Sequence, residues 1–297
     1  MDIVLQVDVI PVAGETVLGS DLRYSCGGKG ANQAFAAGRL NGNVEMLGCV
    51  GRDGFGDEII RNLSSAGVKI DAIGRIESQN TGTAVLNVEK SGNNNIVVIA
   101  GANKCCDEAY LRMNDEAFKK CDYILLQMEI PLVSAWYAIN RGKELGKTVI
   151  LNPAPAPDYL PDGIPGKLDC IIPNETELIR LSKCKDDSID EMRIGAEKLI
   201  SAGVKSVIVT LGGRGSMLIQ NDACEIFPPI PVRAVDTTAA GDCFCAAYVV
   251  ALANGKTPGE AMSFATIAAG LTVTKRGAQD SIPYRTEIDA YRISKDA

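Results

Sequence analysis

The sequence predicts an α/β fold, in which helices cover both faces of a mostly parallel central β-sheet and a small second β-sheet projects from it. Three observations lead to this prediction. Short apolar runs alternate with helical patterns, and such alternation is typical of parallel sheets. Two stretches, near 12–24 and 81–101, are rich in strand patterns without helices between them. No linker or repeat divides the 297 residues, which indicates a single domain over 1–297 with these two stretches as inserts.

Strands and helices alternate in order along the second half of the chain. A helical pattern over 132–145 ends at Gly146. Ser188 can cap a further helix that runs to Ala202 and ends at Gly203. Such elements indicate a parallel sheet covered by helices. The short apolar runs that predict its strands lie at 124–128, 148–151, 170–172 and 207–210.

The two strand-rich stretches are predicted to form the projecting sheet. Apolar strands at 83–88 and 95–99 flank a polar turn at 91–94, which is the pattern of a β-hairpin. A lone hairpin is marginally stable in water, so its apolar side chains need a surface to cover them. The sheet is therefore expected to serve as a lid, as a subunit contact or as both, and a hairpin without function is the alternative.

The charge balance and the absence of one residue type exclude several kinds of function. With 30 Lys and Arg against 37 Asp and Glu, the net charge is −7, and no basic cluster suggests a nucleic-acid partner. The chain contains no His, which excludes Ser-His-Asp triads, Cys-His dyads and HExxH zinc sites. Proton transfer must therefore fall to a carboxylate, Lys, Tyr or Cys side chain.

The ten Cys residues are scattered and form no CxxC pair, so neither a zinc site nor a disulfide framework is expected. Reduced thiols are typical of a reducing compartment, and the N-terminal end lacks the basic start of a signal peptide. No apolar stretch approaches the ~20 residues of a membrane span. These observations predict a cytoplasmic protein without a membrane partner, and a nuclear location stays open for a eukaryotic source.

One segment in the last quarter of the chain has the pattern of a phosphate site. Residues 243–253 are apolar nearly all round and predict a buried helix, which places Ala239, Ala240 and Gly241 in its first turn. Backbone N–H groups there lack partners inside the helix, and small side chains let an anion approach them. Asp242 is expected to point into the same region, either as a reacting carboxylate or only as a complement to the helix dipole.

A second glycine-rich turn, Gly-Gly-Lys-Gly-Ala-Asn-Gln at 27–33, opens a predicted helix over 31–40. Glycines at this place let a ligand touch the backbone, and Lys29 and Asn32 offer polar groups. A tight loop without a ligand is the alternative, because the Gly-Gly-Lys-Gly pattern alone is weakly specific.

Together, these two segments resemble the two signatures of the ribokinase-like sugar kinases. The resemblance covers the chain from Asp2 onward and implies the three-layer sandwich of that family, with the small projecting sheet as a lid. The activity it implies is ATP-dependent phosphorylation of D-ribose to D-ribose 5-phosphate. Further matches follow in the same order at 127–129, 152–155, 174–177, 210–215 and 275–279.

The resemblance implies roles for the two signature segments. Asp242 is identified as the general base that takes the proton from the primary hydroxyl of the sugar. The backbone of Ala239, Ala240 and Gly241 is identified as the anion hole for the transferring phosphoryl group. Such transfer depends on positioning and electrostatics, so no His is needed. The implied sugar contacts are Asp2, Gly28, Lys29, Gly30, Ala31, Asn32, Glu129 and Asp242.

The resemblance also implies the nucleotide and cation sites. Glu177 is expected to hold Mg²⁺ through water, since Mg²⁺ keeps several waters and binds few carboxylates. ATP contacts are expected at Asn174, Thr210, Leu211, Gly212, Gly213, Arg214, Gly215 and Gly241. An activating K⁺ site is implied at Asp236, Thr238, Thr272, Lys275, Gly277 and Ser281.

One departure from the family concerns the N-terminal end. Members usually begin with an additional strand that ends in Gly-Ser-x-Asn-x-Asp, and Met1-Asp2 matches only its last two positions. That strand would lie inside the sheet, so without it the neighbouring strands are expected to keep unpaired backbone groups. Either the protein starts upstream of Met1, or it folds around a gap and binds sugar weakly.

Other functions stay open beside the phosphorylation of D-ribose. A kinase for another sugar or for a nucleoside would belong to the same family, although no aromatic side chain that could stack on a base stands next to 27–32. A catalytically impaired protein that binds sugar or nucleotide is the third possibility, because of the departure at the N-terminal end. The resemblance implies a homodimer formed through the projecting sheet.

Overall fold

The computed structural model describes residues 1–91, 93–220 and 223–296. Its strands are β1 (Asp2–Val7), β2 (Gly19–Ser25), β3 (Gly48–Gly51), β4 (Ile73–Ile76), β5 (Thr83–Glu89), β6 (Asn94–Ile99), β7 (Tyr123–Leu126), β8 (Thr148–Leu151), β9 (Cys170–Ile171), β10 (Ser206–Thr210), β11 (Ser216–Gln220) and β12 (Ala223–Phe227). Its helices are α1 (Lys29–Arg39), α2 (Gly54–Ser65), α3 (Glu108–Met113), α4 (Asp115–Lys120), α5 (Leu132–Glu144), α6 (Glu175–Ser182), α7 (Ile189–Ser201), α8 (Ala240–Ala253), α9 (Pro258–Thr272) and α10 (Arg285–Asp296).

The largest sheet has six strands in the order β12-β11-β10-β9-β8-β7. The four strands from β7 to β10 are parallel, and β11 and β12 extend the sheet antiparallel. Helices connect the parallel strands, as the alternating pattern requires. The predicted mostly parallel central sheet is therefore confirmed.

Helices cover both faces of this sheet, and β10 shows how the core is divided between them. Ile208 packs into a cluster with α1, α8 and α9, whereas Val207 and Val209 pack into a second cluster with α5 and α7. All three side chains are fully buried. Because successive side chains of a strand point to opposite faces, a strand covered on both sides needs a continuous apolar run. The Val-Ile-Val run of β10 meets this requirement.

The ends of the predicted helices follow their local signals. The Ser188 hydroxyl accepts a hydrogen bond from the backbone N–H of Glu191 at the start of α7. Gly146 and Gly203 follow α5 and α7 with φ angles of +69° and +115°. Glycine adopts this left-handed conformation without the steric penalty of a Cβ atom, so each helix ends there.

The projecting sheet has four strands in the order β2-β1-β5-β6. The two predicted inserts supply β2, β5 and β6, and β1 adds a strand that the inserts do not contain. β1 pairs in parallel with β5 and antiparallel with β2, so it lies between the two inserts. Of the predicted turn at 91–94, Gly92 lies outside the described residues. The small projecting sheet is confirmed, with β1 as its additional strand.

A gap separates β7 from the short sheet of β3 and β4. Within the described residues, β3 pairs with no strand other than β4, and β7 with none other than β8. A cavity of about 660 Å³ lies between β3 and β7, and Met1 is among its lining residues. Among the described strands, β3 and β7 therefore each keep one edge without a strand partner.

The remaining predictions from composition concern thiols and membranes. All ten Cys side chains are free thiols, and six of them are buried. Among the described helices, none has the length and the apolar composition to cross a lipid bilayer.

Candidate active site

A cavity of about 210 Å³ opens where the parallel strands β8, β9 and β10 end. Ligands in open α/β sheets bind at the carboxyl ends of the strands, because the loops there converge with helix N-termini. The cavity brings together seven of the predicted site residues. These are Lys29, Asn174, Glu177, Thr210, Ala239, Gly241 and Asp242.

The N-terminus of α8 forms one wall of this cavity. Ala240 and Gly241 begin the helix, so their backbone N–H groups have no partner within it, although the Ala240 N–H donates to Thr237 O over 3.3 Å. Ala239 precedes them as the N-cap in a left-handed conformation, with φ of +60° and ψ of +5°. A Cβ atom built on Gly241 would have no atom within 4 Å, so open space lies beside this turn. The geometry suits an anion held by backbone N–H groups.

The carboxyl group of Asp242 lies buried in the first turn of α8 and is 8% exposed. Its two oxygens accept hydrogen bonds from two neighbouring residues of α1. Asn32 Nδ2 donates to Oδ2 over 2.9 Å, and Gln33 Nε2 donates to Oδ1 over 3.0 Å. Burial raises the pKa of Asp242 above its ordinary value, and Lys29, Gln33 and Asn32 oppose this shift because they favour the charged form.

The glycine-rich turn before α1 brings backbone and carboxylates into close contact. Gly28 is the N-cap of α1 with φ of +92°, a conformation that favours glycine. The backbone N–H of Lys29 donates to Glu129 Oε2 over 2.8 Å. A Cβ atom on Gly27 would overlap the carboxyl group of Asp2, so only glycine lets Asp2 approach the turn. The motif therefore holds two carboxylates, Asp2 and Glu129, against its backbone.

The predicted sugar contacts are divided between the two cavities. Lys29 and Asp242 line the 210 Å³ cavity, whereas Asn32 is 5% exposed and lines neither. Asp2 lines neither cavity but packs against Gly27 at the mouth of the turn. The larger cavity is lined by Gly28, Gly30, Ala31 and Glu129.

The charges around the site are mostly negative. Burial raises the pKa of Asp2 and of Glu129, and the charge of Asp242 raises both further. Lys29 opposes the shift at Glu129 and at Asp242, since its positive charge favours ionised carboxylates. Lys29 is therefore one positive charge among these carboxylates, and the N-terminal ammonium of Met1, which lowers the pKa of Asp2, is another.

The predicted nucleotide contacts lie at the ends of β9 and β10. Asn174 pairs with Thr210 in an isolated parallel bridge, and the Thr210 N–H donates to Pro173 O over 3.0 Å. Asn174 also caps α6 in a reciprocal arrangement with Glu177. Glu177 N donates to Asn174 Oδ1 over 2.8 Å, and Asn174 N donates to Glu177 Oε2 over 2.9 Å. This capping box fixes the Glu177 carboxylate at the cavity wall, where burial raises its pKa.

The five predicted ATP contacts in the turn after β10, residues 211–215, differ in which of their atoms could reach a ligand. Leu211 is 1% exposed, so only its backbone can reach a ligand. A Cβ atom on Gly212 or Gly213 would meet no atom within 4 Å, which leaves room beside the backbone. The Arg214 guanidinium donates to the Asp187 carbonyl oxygen over 2.8 Å and is thus tied to the protein surface. Gly215 lies at φ of +93° against Phe227 and closes the turn.

The predicted K⁺ loop is organised around the carboxylate of Asp236. Oδ1 accepts hydrogen bonds from Thr238 N over 2.9 Å and Thr238 Oγ1 over 2.7 Å, and Oδ2 accepts from Gly277 N over 2.9 Å. Burial alone would raise the pKa of Asp236, but these hydrogen bonds outweigh it and lower the pKa. Asp236 thus joins the segment before α8 to the segment after α9.

The other predicted K⁺ residues have their side chains occupied within the protein. The Thr272 hydroxyl donates to Ala268 O, and the Ser281 hydroxyl donates to Ala278 O. The Lys275 ammonium pairs with Glu287 over 2.6 Å. The Lys275 ammonium cannot bind a cation, so this residue can contribute only its carbonyl oxygen, whereas Thr272 and Ser281 can contribute carbonyl or hydroxyl oxygens.

The site also contains residues that were not predicted from the sequence. Asn152 and Ala154 line the small cavity, and their Asn-Pro-Ala-Pro segment was recognised only as a family match. Gln33 and Gln279 reach the site through hydrogen bonds to residues more than a hundred positions away. No local pattern in the sequence reports such contacts. The remaining lining residues are Ile172, Thr237 and Cys245.

Comparison with known proteins agrees with this fold. The profile of the pfkB family carbohydrate kinases matches residues 1–285. A deoxyribokinase of Salmonella typhi is 36% identical over 291 residues, which cover 98% of this chain and 95% of that protein. A ribokinase of Schizosaccharomyces pombe is 37% identical over 306 residues, which cover 99% of this chain and 96% of that protein.

A solved structure supports the same assignment. The structure of Arabidopsis thaliana ribokinase complexed with ribose and ATP aligns with a TM-score of 0.90 at 33% identity, over 97% of this chain and 94% of that chain. The chain therefore resembles these carbohydrate kinases in both sequence and fold over nearly its whole length. The chain belongs to the pfkB family of carbohydrate kinases.

Proposed function

We propose that this chain transfers the γ-phosphoryl group of ATP to the 5-hydroxyl of D-ribose, giving D-ribose 5-phosphate and ADP. One observation carries the proposal: the buried carboxylate of Asp242 lies in the same cavity as Ala239 and Gly241 at the N-terminus of α8. The relatives named ribokinase support the choice of sugar, and the Arabidopsis complex with ribose and ATP supports both substrates.

The proposed chemistry assigns the proton to Asp242. Its carboxylate accepts the proton of the 5-hydroxyl as the sugar oxygen attacks the γ-phosphorus, and the bond between that phosphorus and the ADP oxygen breaks. The backbone N–H group of Gly241 stabilises the negative charge of the transferring group, and that of Ala240 joins it by giving up its 3.3 Å hydrogen bond to Thr237 O. An aspartate suffices as base, since the hydroxyl becomes acidic only as it attacks.

The carboxylates around the site support a requirement for Mg²⁺. Glu177 and Asp242 both line the cavity that would receive the phosphates. An oligophosphate beside two carboxylates needs a cation between them, because like charges repel strongly at short range. The carboxylate of Glu177 fits a water-mediated magnesium site. When bound, Mg²⁺ would neutralise phosphate charge next to the α8 N-terminus.

The loop around Asp236 supports the proposal of a K⁺ site. Its carboxylate is held between Thr238 and Gly277, and carbonyl oxygens of 272–281 lie in the same loop. Such oxygens are the ligands that an alkali cation accepts. A bound K⁺ would set the geometry and local potential of this loop beside α8.

A second candidate substrate is 2-deoxy-D-ribose. The deoxyribokinase of Salmonella typhi matches this chain about as well as the ribokinases do. The two sugars differ only in the 2-hydroxyl, and the proposed transfer at the 5-hydroxyl is the same for both. Contacts to the 2-hydroxyl therefore decide between them.

A substrate panel tests the proposal. ADP release would be measured in a coupled assay with D-ribose, 2-deoxy-D-ribose, D-fructose and adenosine, each with ATP and Mg²⁺. The highest kcat/KM is expected for D-ribose. A higher value for 2-deoxy-D-ribose would favour the second candidate. Preference for fructose or adenosine, or thermal stabilisation by ribose without any turnover, would overturn the assignment.

A further inference from the structure

Buried carboxamide side chains form a continuous chain of hydrogen bonds through the site. Gln279 Nε2 donates to Asn32 Oδ1 over 3.1 Å, and Asn32 Nδ2 donates in turn to Asp242 Oδ2. Gln279 is 1% exposed, and its own Oε1 accepts a hydrogen bond from Asn62. The oxygen and the nitrogen of both carboxamides, Gln279 and Asn32, thus each have a hydrogen-bond partner.

This chain fixes which way the Asn32 amide faces. An asparagine side chain has one oxygen that accepts and one NH₂ group that donates. Because Gln279 presents a donor to Asn32, the Asn32 oxygen faces Gln279 and its NH₂ group faces Asp242. Without Gln279, the Asn32 side chain keeps its bond to Asp242 but loses the second bond that holds it in place, so the donor can shift relative to the carboxylate. Gln279 thereby keeps a donor on Asp242.

The same residue belongs to the loop that Asp236 organises. Gly277, whose N–H donates to Asp236, lies two residues before Gln279 in the chain. A short helical turn over Gln279–Ser281 follows directly. Only one residue separates Gly277 from Gln279, so a change in the geometry of the Asp236 loop also moves Gln279. The hydrogen bonds from Gln279 to Asn32 and from Asn32 to Asp242 then pass the displacement to the carboxylate.

We propose that Gln279 is a positioning residue for Asp242, which acts through Asn32 and transmits the geometry of the Asp236 loop to the base. This inference rests on the proposed function, in which Asp242 accepts the proton of the sugar hydroxyl. With one lone pair of each oxygen occupied by Asn32 or Gln33, the carboxylate keeps a fixed plane, and its remaining lone pairs are available to the hydroxyl.

The first test replaces the amide by a side chain of similar length that cannot hydrogen-bond, in Gln279→Met. With ribose and ATP, kcat is expected to fall about 10- to 100-fold, the range for a misplaced catalytic group, while the KM for ATP changes little. The ratio of rates in K⁺ and Na⁺ is expected to move toward one. As a matched control, Asn254→Met removes a carboxamide at the far end of α8, where Nδ2 donates to Val250 O, and it should leave kcat unchanged.

The second test asks whether Gln279 acts through Asn32. If it does, the double variant Asn32→Leu/Gln279→Met should be no slower than Asn32→Leu alone, because the intermediate link is already lost. Multiplicative losses would show that Gln279 acts by another route and would overturn the inference.

Two further results separate a failed inference from a failed fold or function. Should Gln279→Met unfold at assay temperature, Gln279→Asn keeps the amide but is too short to reach Asn32, and the same loss of kcat is expected. Wild-type kcat in both Gln279 variants would overturn the positioning role and leave the proposed function intact. Full turnover by an Asp242→Asn variant would instead overturn the proposed function itself.

Discussion

The Asp242 carboxyl group is buried and is also hydrogen-bonded at both of its oxygens. Its burial disfavours the ionised form, yet both of its oxygens accept hydrogen bonds from amides that favour that form. The result is a carboxylate that is oriented and poorly hydrated. Poor hydration raises its basicity, and the fixed amides limit the reorganisation needed when it accepts a proton.

The first prediction concerns the acceptor role of Asp242. Asp242→Asn keeps the size of the side chain but removes its ability to accept the hydroxyl proton. We expect kcat to fall about 10²- to 10⁴-fold, the usual contribution of a general base. ATP binding, measured by calorimetry, should stay nearly unchanged, since the base does not hold the nucleotide. A variant that retains more than about a tenth of the wild-type kcat would contradict the role of base.

The second prediction concerns pH. Asp242 acts as a base only when ionised, so kcat/KM should decline as the pH falls through its pKa. The positive charge of Lys29 lowers that pKa. Lys29→Met should therefore shift the acidic limb of the profile to higher pH, whereas Lys29→Arg, which keeps the charge, should shift it less. If the acidic limb of both variants stays at the pH of the wild-type limb, Lys29 does not act on the base.

At the scale of elements, the N-terminus of α8 depends on a strained residue. Ala239 adopts the left-handed conformation, which costs about 1–2 kcal/mol for a residue with a Cβ atom. Such strain persists where the surroundings require that conformation, and it is common at functional sites. Here the left-handed residue joins the Asp236 loop to α8 and leaves Ala239 and Gly241 at the cavity wall.

The third prediction follows from this strain. Ala239→Gly should raise the free energy of unfolding by up to about 1 kcal/mol, because glycine lacks the steric penalty but is more flexible when unfolded. Its kcat should remain close to wild type. Ala239→Val, with a β-branched side chain, should lower both stability and kcat, since it disfavours the left-handed conformation that leaves Gly241 at the cavity wall. Thermal unfolding and steady-state kinetics measure both effects, and a stabilising valine would refute the explanation.

The fourth prediction concerns the Asp236 loop. Replacing K⁺ by Na⁺ at constant ionic strength should lower kcat without unfolding the protein, since the cation would shape the loop beside α8 and not contact the substrates. Asp236→Asn should weaken this response, because the loop loses the charge that attracts the cation. Equal rates in the two salts would remove the K⁺ site and leave the kinase assignment unaffected.

Local and long-range features differ in how well the sequence predicts them. The ends of α5 and α7 were predictable because caps and glycines act within a few residues. The place of β1 in the projecting sheet was not, since its pairing with β5 joins residues about eighty positions apart. The same limit applies to Gln279, whose partner Asn32 lies 247 positions away. The Asp242 turn was found because its motif is contiguous.

At the scale of the whole molecule, the projecting sheet exposes apolar side chains on its edge. All four residues from Ile96 to Ile99 in β6 are more than half exposed, and Tyr24 on β2 is 55% exposed. An exposed apolar edge strand pairs readily with another chain, so soluble proteins usually protect it. A second copy of this chain would cover the same residues, so we propose that the homodimer implied by the resemblance forms through this sheet.

The fifth prediction tests whether this sheet is both a subunit contact and a lid. Val97→Asp places a charge in the exposed apolar strand and should convert a dimer to a monomer, as measured by light scattering. The KM for ribose should rise in the same variant, because a lid that loses its partner surface excludes water less well from the sugar. The matched control is Val133→Asp on α5, where valine is 67% exposed but lies outside the projecting sheet. This control should change neither the oligomeric state nor the KM for ribose. A monomeric wild type, or equal behaviour of the two variants, would contradict the double role of the sheet.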